Sequence, residues 1–444
     1  MNKSGIWRQR IAYGATDMAG NMIWQMVSLY LLFYYTTISG ISAAFVGTLF
    51  LVVRVVDAFD GMFYGYLIDH THTKWGQARP YFLWFGIPLG ILGFLLFAVP
   101  SFSGSETLKL VYVSAVYVLF SLVYSGANTP ITAILPNLTE DVDERTNLAT
   151  ARMVMTNIGA TAVGMMTIPI VKILGGKNSG RGYFLWALIL GVTISILFVL
   201  AFLNLREKNY QAPVAKEKSN ISLKETLKGA SENKPWLILS LVTISIQVFW
   251  VVRNATGIFY INYIYGQPAL AASFLGLGFV SVLGNLLVPV VSKRFTNKQS
   301  MAVAMVVFAF GELLLPVAEK AHNVPLLFAG NIISLIAMGI TFTMVFTMLS
   351  DTVDYSRKEL GINEPGFLSS VPIVGAKLGM GIGGALSGWI LAWGGFDAKA
   401  KVQTPKAMMS IDISFVWLPI ILAFVILFLL SLYKLDEKAL RAKA

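Results

Sequence analysis

The chain contains no cysteine, only three histidines and little charge, with Asp, Glu, Lys and Arg together making 13% of its 444 residues. Without cysteine there is no disulfide framework, no thiol nucleophile and no Cys-ligated metal. Three histidines (His70, His72 and His322) leave little for a zinc or haem site. Two of them sit at i, i+2 in the loop D-H-T-H-T at 69–73, where ordinary loop residues rather than metal ligands are expected. A soluble domain carries about 25% charged residues, so about half the usual charge is missing. Apolar residues take its place, at 56% of the chain with a mean hydropathy of +0.68.

Acidic residues are scarcer than basic ones, 23 against 34, for a net charge of +11. A basic excess points to nucleic acid when it clusters on a polar surface. Here the basic residues form short groups between long apolar runs, so the partner is a lipid bilayer and no nucleic acid is expected. Nor is an obligate protein partner evident. No Ser–His–Asp set, metal cluster or phosphate loop is present, which argues against an enzyme and against a bound cofactor.

A bilayer core about 30 Å thick needs roughly 20 apolar residues per helix. Twelve such spans are expected, near 11–38, 41–67, 80–100, 108–135, 150–174, 181–204, 236–265, 269–292, 300–318, 325–349, 367–395 and 412–433. The fold class is therefore an all-α polytopic membrane protein. The longest polar stretch, 206–235, reads as a cytoplasmic linker between two six-helix bundles, 1–205 and 236–444. Within it S-L-K-E-T-L-K at 222–228 suits a short amphipathic helix. The halves correspond loosely. A basic loop follows the second span of each (73–80 and 292–298), and a loop with acids and Arg follows the fourth (140–145 and 351–357). Two similar bundles around a central cavity is a secondary-transporter architecture. The N-terminus MNKSGIWRQR enters the first span without a small-residue cleavage site, so no signal peptide is expected. With both termini cytoplasmic, 22 basic residues fall inside and 8 outside, as the positive-inside rule requires. Two external loops, near 172–181 and 399–406, are basic against that rule.

Eight charges fall inside predicted spans: Arg54, Arg152, Arg253 and Lys377 against Asp17, Asp57, Asp60 and Glu312. A charge at bilayer depth costs several kcal/mol unless it faces protein or water and finds a partner. Four against four suggests mutual pairing. Arg54, Asp57 and Asp60 repeat at i, i+3, i+6 on one face of helix 2, which suits a structural ion pair or a coupling-ion site. Asp17 and Asn21 share a face of helix 1, and helix 4 carries Ser125, Asn128 and Thr132. These serve equally as packing glue or as ligands for sugar hydroxyls. Trp24 suits a sugar platform or an ordinary packing role. Arg152 opens helix 5, where snorkelling to the interface competes with a buried role. Lys377 lies too deep in helix 11 for that, amid the small residues of V-G-A-K-L-G-M-G-I-G-G. Arg253 and Glu312 have no local constellation and read as structural.

The motifs Y-G-A-T-D-M-A-G-N (13–21), R-V-V-D-A-F-D-G (54–61), T-K-W-G-Q-A-R-P (73–80), E-R-T-N-L-A-T-A-R (144–152), D-T-V-D-Y (351–355) and K-L-G-M-G-I-G-G (377–384) together carry a resemblance. Over essentially its whole length the chain resembles the glycoside–pentoside–hexuronide:cation symporters of the major facilitator superfamily. The resemblance implies twelve helices and symport of a sugar or glycoside with H⁺, Na⁺ or Li⁺. It implies cation binding at Asp57, with Asp60 and Ser125 assisting, and sugar binding at Asp17, Asn21, Asn128, Arg152 and Lys377. Lys377, with Arg54, would couple the two. Melibiose-type members carry Asn and then Asp at the third and fourth positions after the cation-site carboxylate. Here those positions hold Asp60 and Gly61, which rotates the second acid about 100° on the helix and favours H⁺ over Na⁺ at Asp57. Their sugar-site carboxylates fall on Asn21 and Asn128, amides that still serve hydroxyls and that tolerate an anionic sugar better. The expected protein is a plasma-membrane sugar symporter working by alternating access. The alternative on the same fold is an exporter or a lipid or amphiphile carrier.

Overall fold

The computed structural model describes residues 3–100, 105–139, 141–207, 233–359, 365–400 and 402–435. Most of the linker, including 222–228, lies outside the described residues. The described residues are helical, with a single isolated bridge between Thr73 and Gly76. In chain order the long helices are α1 (Lys3–Met26, continued through π turns Val27–Leu31 and Tyr34–Ile38), α2 (Ala43–Asp69), α3 (Arg79–Leu95), α4 (Glu106–Ala133), α5 (Val142–Gly175) and α6 (Ser179–Asn204). There follow α7 (Lys234–Phe259, with a π turn Tyr260–Ile264), α8 (Ser281–Val291, reached through short helical pieces from Pro268), α9 (Asn297–Lys320), α10 (Val324–Glu359), α11 (Pro365–Gly394) and α12 (Pro405–Asp412 through a π turn to Leu418–Leu432).

The helix starts follow from side chains that accept the orphaned first-turn amides. Asp141 caps α5, Asn178 caps α6, Thr404 caps α12, and Thr296 with Gln299 closes a capping box on α9. Asn233 does more than cap α7. Its amide also donates to the Thr352 carbonyl at 3.0 Å and the Ser356 hydroxyl at 2.7 Å, tying the start of α7 to the end of α10.

Among the described residues nine helical stretches, on α4 to α12, are long and apolar enough to cross a membrane. The chain is a multi-pass membrane protein. α3 is apolar but shorter, and α1 and α2 carry several of the buried charges. Large apolar side chains remain exposed along these helices, as on the 184–196 stretch of α6. In water such faces would be a liability, whereas in lipid they cost nothing.

Contacts divide the chain into two compact units. One is 1–216 with 271–276 and 397–400, and the other is 217–270 with 277–396 and 401–444. In the first, α1 packs on α5 and α6, α3 on α4 and α6, and α2 on α4. In the second, α7 packs on α11 and α12, α9 on α10 and α12, and α8 on α10. The pairing order repeats after six helices. The repeat reaches atomic detail at the ends of α1 and α7. The amide of Ser39 donates to the Tyr34 carbonyl and that of Ile41 to Tyr35, just as Tyr265 donates to Tyr260 and Gln267 to Ile261. Each π-turned end is closed by a glycine in the left-handed region, Gly40 at φ +67° and Gly266 at φ +72°, which L side chains rarely adopt.

Candidate functional site

In the first unit the packing of α1 on α5 brings Asp17 to Arg152. The Arg152 Nε donates to Asp17 Oδ2 at 3.0 Å, and the Thr156 hydroxyl, one turn further along α5, donates to the same oxygen at 2.6 Å. Asn21 donates from its amide to Asp17 Oδ1 at 3.3 Å and to the Asp17 carbonyl at 3.0 Å. Arg152 therefore does not snorkel; it turns inward to a carboxylate whose side chain is 11% exposed, while keeping 29% of its own exposed. Burial of this charge is tolerable because both oxygens are hydrogen-bonded.

The second pair lies on α2. The Arg54 guanidinium donates to Asp57 Oδ2 at 2.7 Å, and the Ser121 hydroxyl of α4 donates to Asp57 Oδ1. Asp60, one turn on, is buried. Ser125 and Asn128 share α4 with Ser121, yet their side chains are engaged by neither ion pair. The Arg54 guanidinium also lies 4.3 Å from the ring centroid of Trp24 on α1, and Trp24 in turn meets Tyr124 of α4 at 5.3 Å. Trp24 and Asn21 sit one turn apart on α1, so this stacked arginine lies close to the Asp17 group in sequence register. Thr156, Ser121 and Tyr124 were not singled out from the sequence. Only the α1–α5 and α2–α4 packing reveals them, although a hydroxyl four residues from a predicted site residue (Thr156 after Arg152, Ser121 before Ser125) was the available signal.

In the second unit Lys377 is half-buried on α11. Its helix presents Gly375, Gly379 and Gly383 to α7; a Cβ on Gly379 would fall 2.7 Å from the Ile244 carbonyl, and one on Gly383 2.7 Å from that of Val248. The expected close approach is thus backbone against backbone. Arg253 and Glu312 turn out to be partners. The Arg253 Nε donates to Glu312 Oε1 at 2.8 Å, its Nη2 donates to Asn331 Oδ1 at 2.8 Å, and its guanidinium lies 5.0 Å from the Phe415 ring. Side-chain exposure of the pair is 7% and 0%. No group of three or more metal-ligating side chains occurs among the described residues.

Apolar helices in two internally matched sets, each burying arginine–carboxylate pairs of its own, are the anatomy of a transporter of the major facilitator superfamily. Solved structures agree on the fold. The nucleoside transporter NupG has a TM-score of 0.66 at 17% identity, covering 98% of this chain and all of its own. Residues 12–437 match the family described as MFS/sugar transport protein. The isoprimeverose transporter of Lactiplantibacillus pentosus is 37% identical over 97% of this chain and 89% of its own length. The glucuronide carrier protein homolog of Escherichia coli (strain K12) is 30% identical over 99% and 94%. The chain belongs to the MFS/sugar transport protein family, within the glycoside–pentoside–hexuronide:cation symporters, and is a transporter rather than an enzyme.

Proposed function

We propose that the protein is a cation-coupled sugar symporter of the plasma membrane, with twelve spans in two six-helix bundles (1–205 and 236–444), a linker at 206–235 and both termini cytoplasmic. Its substrate is a sugar, glycoside, pentoside or hexuronide moved by alternating access. Asp17, Asn21, Asn128, Arg152 and Lys377 bind the substrate; Asp57, with Asp60 and Ser125, binds the cation, H⁺ in preference to Na⁺. To these the hydrogen-bond partners add Thr156 on the sugar side and Ser121 on the cation side.

One observation carries the coupling: the arginine bound to Asp57 is the one stacked on Trp24. While Asp57 is ionised, a charge-assisted bond holds Arg54 over that ring. A proton or Na⁺ on Asp57 cancels the attraction and leaves only the cation–π contact, about 0.5–2 kcal/mol. Arg54 then leaves, and the exposed aromatic face becomes available to a sugar ring. Lys377, with Arg54, is the residue the family resemblance assigns to coupling cation and sugar. Cation and sugar thereby raise each other's affinity by the same factor, and a tenfold effect corresponds to about 1.4 kcal/mol.

Uptake of isoprimeverose and a glucuronide into proteoliposomes, with pH and Na⁺ gradients imposed separately, tests this reading. Accumulation driven by the pH gradient is expected. Asp57→Asn should abolish uphill accumulation while sugar exchange persists. Full active accumulation in that variant would remove Asp57 from the cation site.

A further inference from the structure

At the end of the first unit where α1 finishes, the C-termini of α1 and α3 and the N-termini of α4 and α6 surround a cavity of about 730 Å³. Among the described residues two cations line it and no acid does: Lys109 from the first turn of α4 and Arg181 from the first turn of α6. Lys109 is fixed at the rim, its Nζ donating to the Ser39 carbonyl at 2.6 Å. Arg181 is exposed, and its backbone amide is already taken by the Asn178 cap, so its guanidinium is the part presented to a ligand. The start of α6 adds the positive end of a 26-residue helix dipole. In the proposed orientation this end faces outward, where the positive-inside rule makes Lys and Arg sparse. Cations that topology does not explain call for another reason to be there.

The cavity continues into a second feature. Gly180 and Phe184, both in its lining, begin a four-residue-spaced stripe on α6 that runs through Leu188, Val192 and Ile196, each of these large side chains exposed. Residues four apart are neighbours on a helix, drifting about 40° per step, so the stripe descends slantwise from the cationic rim around α6. A ligand matching the whole surface has an anionic head, suited to a guanidinium fork and an ammonium, and an apolar tail about three turns long or more. A free anion would use the first part and leave the second bare.

We propose that this is a binding site for an anionic phospholipid, its phosphate held between Lys109 and Arg181 and an acyl chain laid along Phe184, Leu188, Val192 and Ile196. Nothing in it depends on which sugar is carried. The test uses purified full-length protein and native mass spectrometry, titrating phosphatidylglycerol, phosphatidylcholine or inorganic phosphate. One phosphatidylglycerol should be retained at least tenfold more tightly than phosphatidylcholine, and inorganic phosphate should not displace it. Lys109→Gln/Arg181→Gln should cut retention about tenfold, and the exposed single variant Arg181→Gln should do so in part. Lys172→Gln/Lys177→Gln, outside the lining, should change nothing. Equal retention of the two lipids, or wild-type retention by the double variant, overturns the proposal. Displacement by inorganic phosphate reduces the cavity to a free-anion site and overturns it as well.

Discussion

The two units both bury arginine–carboxylate pairs in apolar helices, and they do so differently. In the second unit Arg253, Glu312 and Asn331 close on one another with side-chain exposures of 7% and 0% for the ion pair. In the first unit Arg152 and Arg54 hold Asp17 and Asp57 with 29% and 14% of their own side chains exposed, and each acid also accepts a hydroxyl bond. A sealed pair holds helices together. A pair with one partly open member can trade partners, because an incoming ion or hydroxyl can reach it while the old bond is still in place. In the proposed mechanism identical chemistry serves architecture in one unit and exchange in the other, and access separates the two.

The sharpest way to break the contrast is to remove one member of the sealed pair. Arg253→Met leaves Glu312 buried without its cation and should lower stability by about 3–5 kcal/mol, read as a fall in Tm in detergent. Arg253→Met/Glu312→Leu should recover most of it, since a well-packed apolar replacement is often neutral. A fall confined to transport, with Tm unchanged, would place this pair in the exchanging class. Next comes Asp17→Asn. It weakens a charge-assisted bond worth about 1.5–3 kcal/mol, so sugar affinity by calorimetry should drop tenfold to a hundredfold with little change in Tm. The smallest effect separates two serines. Ser121→Ala removes a bond that stabilises ionised Asp57 and should tighten H⁺ binding by about 1 kcal/mol, roughly fivefold. Ser125→Ala should do less in the conformation described here. An equal effect would mean that Ser125 reaches the cation in another state of the cycle.

Features with a short repeat were legible in advance. Arg54 and Asp57 at i, i+3 and Asp17 and Asn21 at i, i+4 share a helix face whatever surrounds them, and both contacts form. The glycine spacing on α11 likewise announced a close helix contact. Pairings across the fold carry no such signature. Arg253 and Glu312 lie 59 residues apart, and Arg152 and Asp17 lie 135 apart. Charge balance could say that partners exist, but not which. The same blindness hid Glu207, which follows α6 and opens the expected linker. Its carboxylate accepts the amides of Gln77, Ala78 and Arg79 at 2.8–3.1 Å and the Asn137 side chain at 3.1 Å, capping α3 from more than a hundred residues away. An acid in a polar stretch reads as solvated until the fold brings a helix start to it.

The glycine seam between α7 and α11 has a mechanical meaning. Interlocked side chains act as teeth, so sliding one helix past another means unseating them, commonly in jumps of about 5.4 Å. Along Gly375, Gly379 and Gly383 the contact with α7 has no teeth on the α11 side. Lys377 stands two residues from the first two of these glycines, on the helix that brings no side chain of its own to these three contacts. A shift of Lys377 along α7 would therefore unseat fewer side chains than a shift along a seam toothed on both sides.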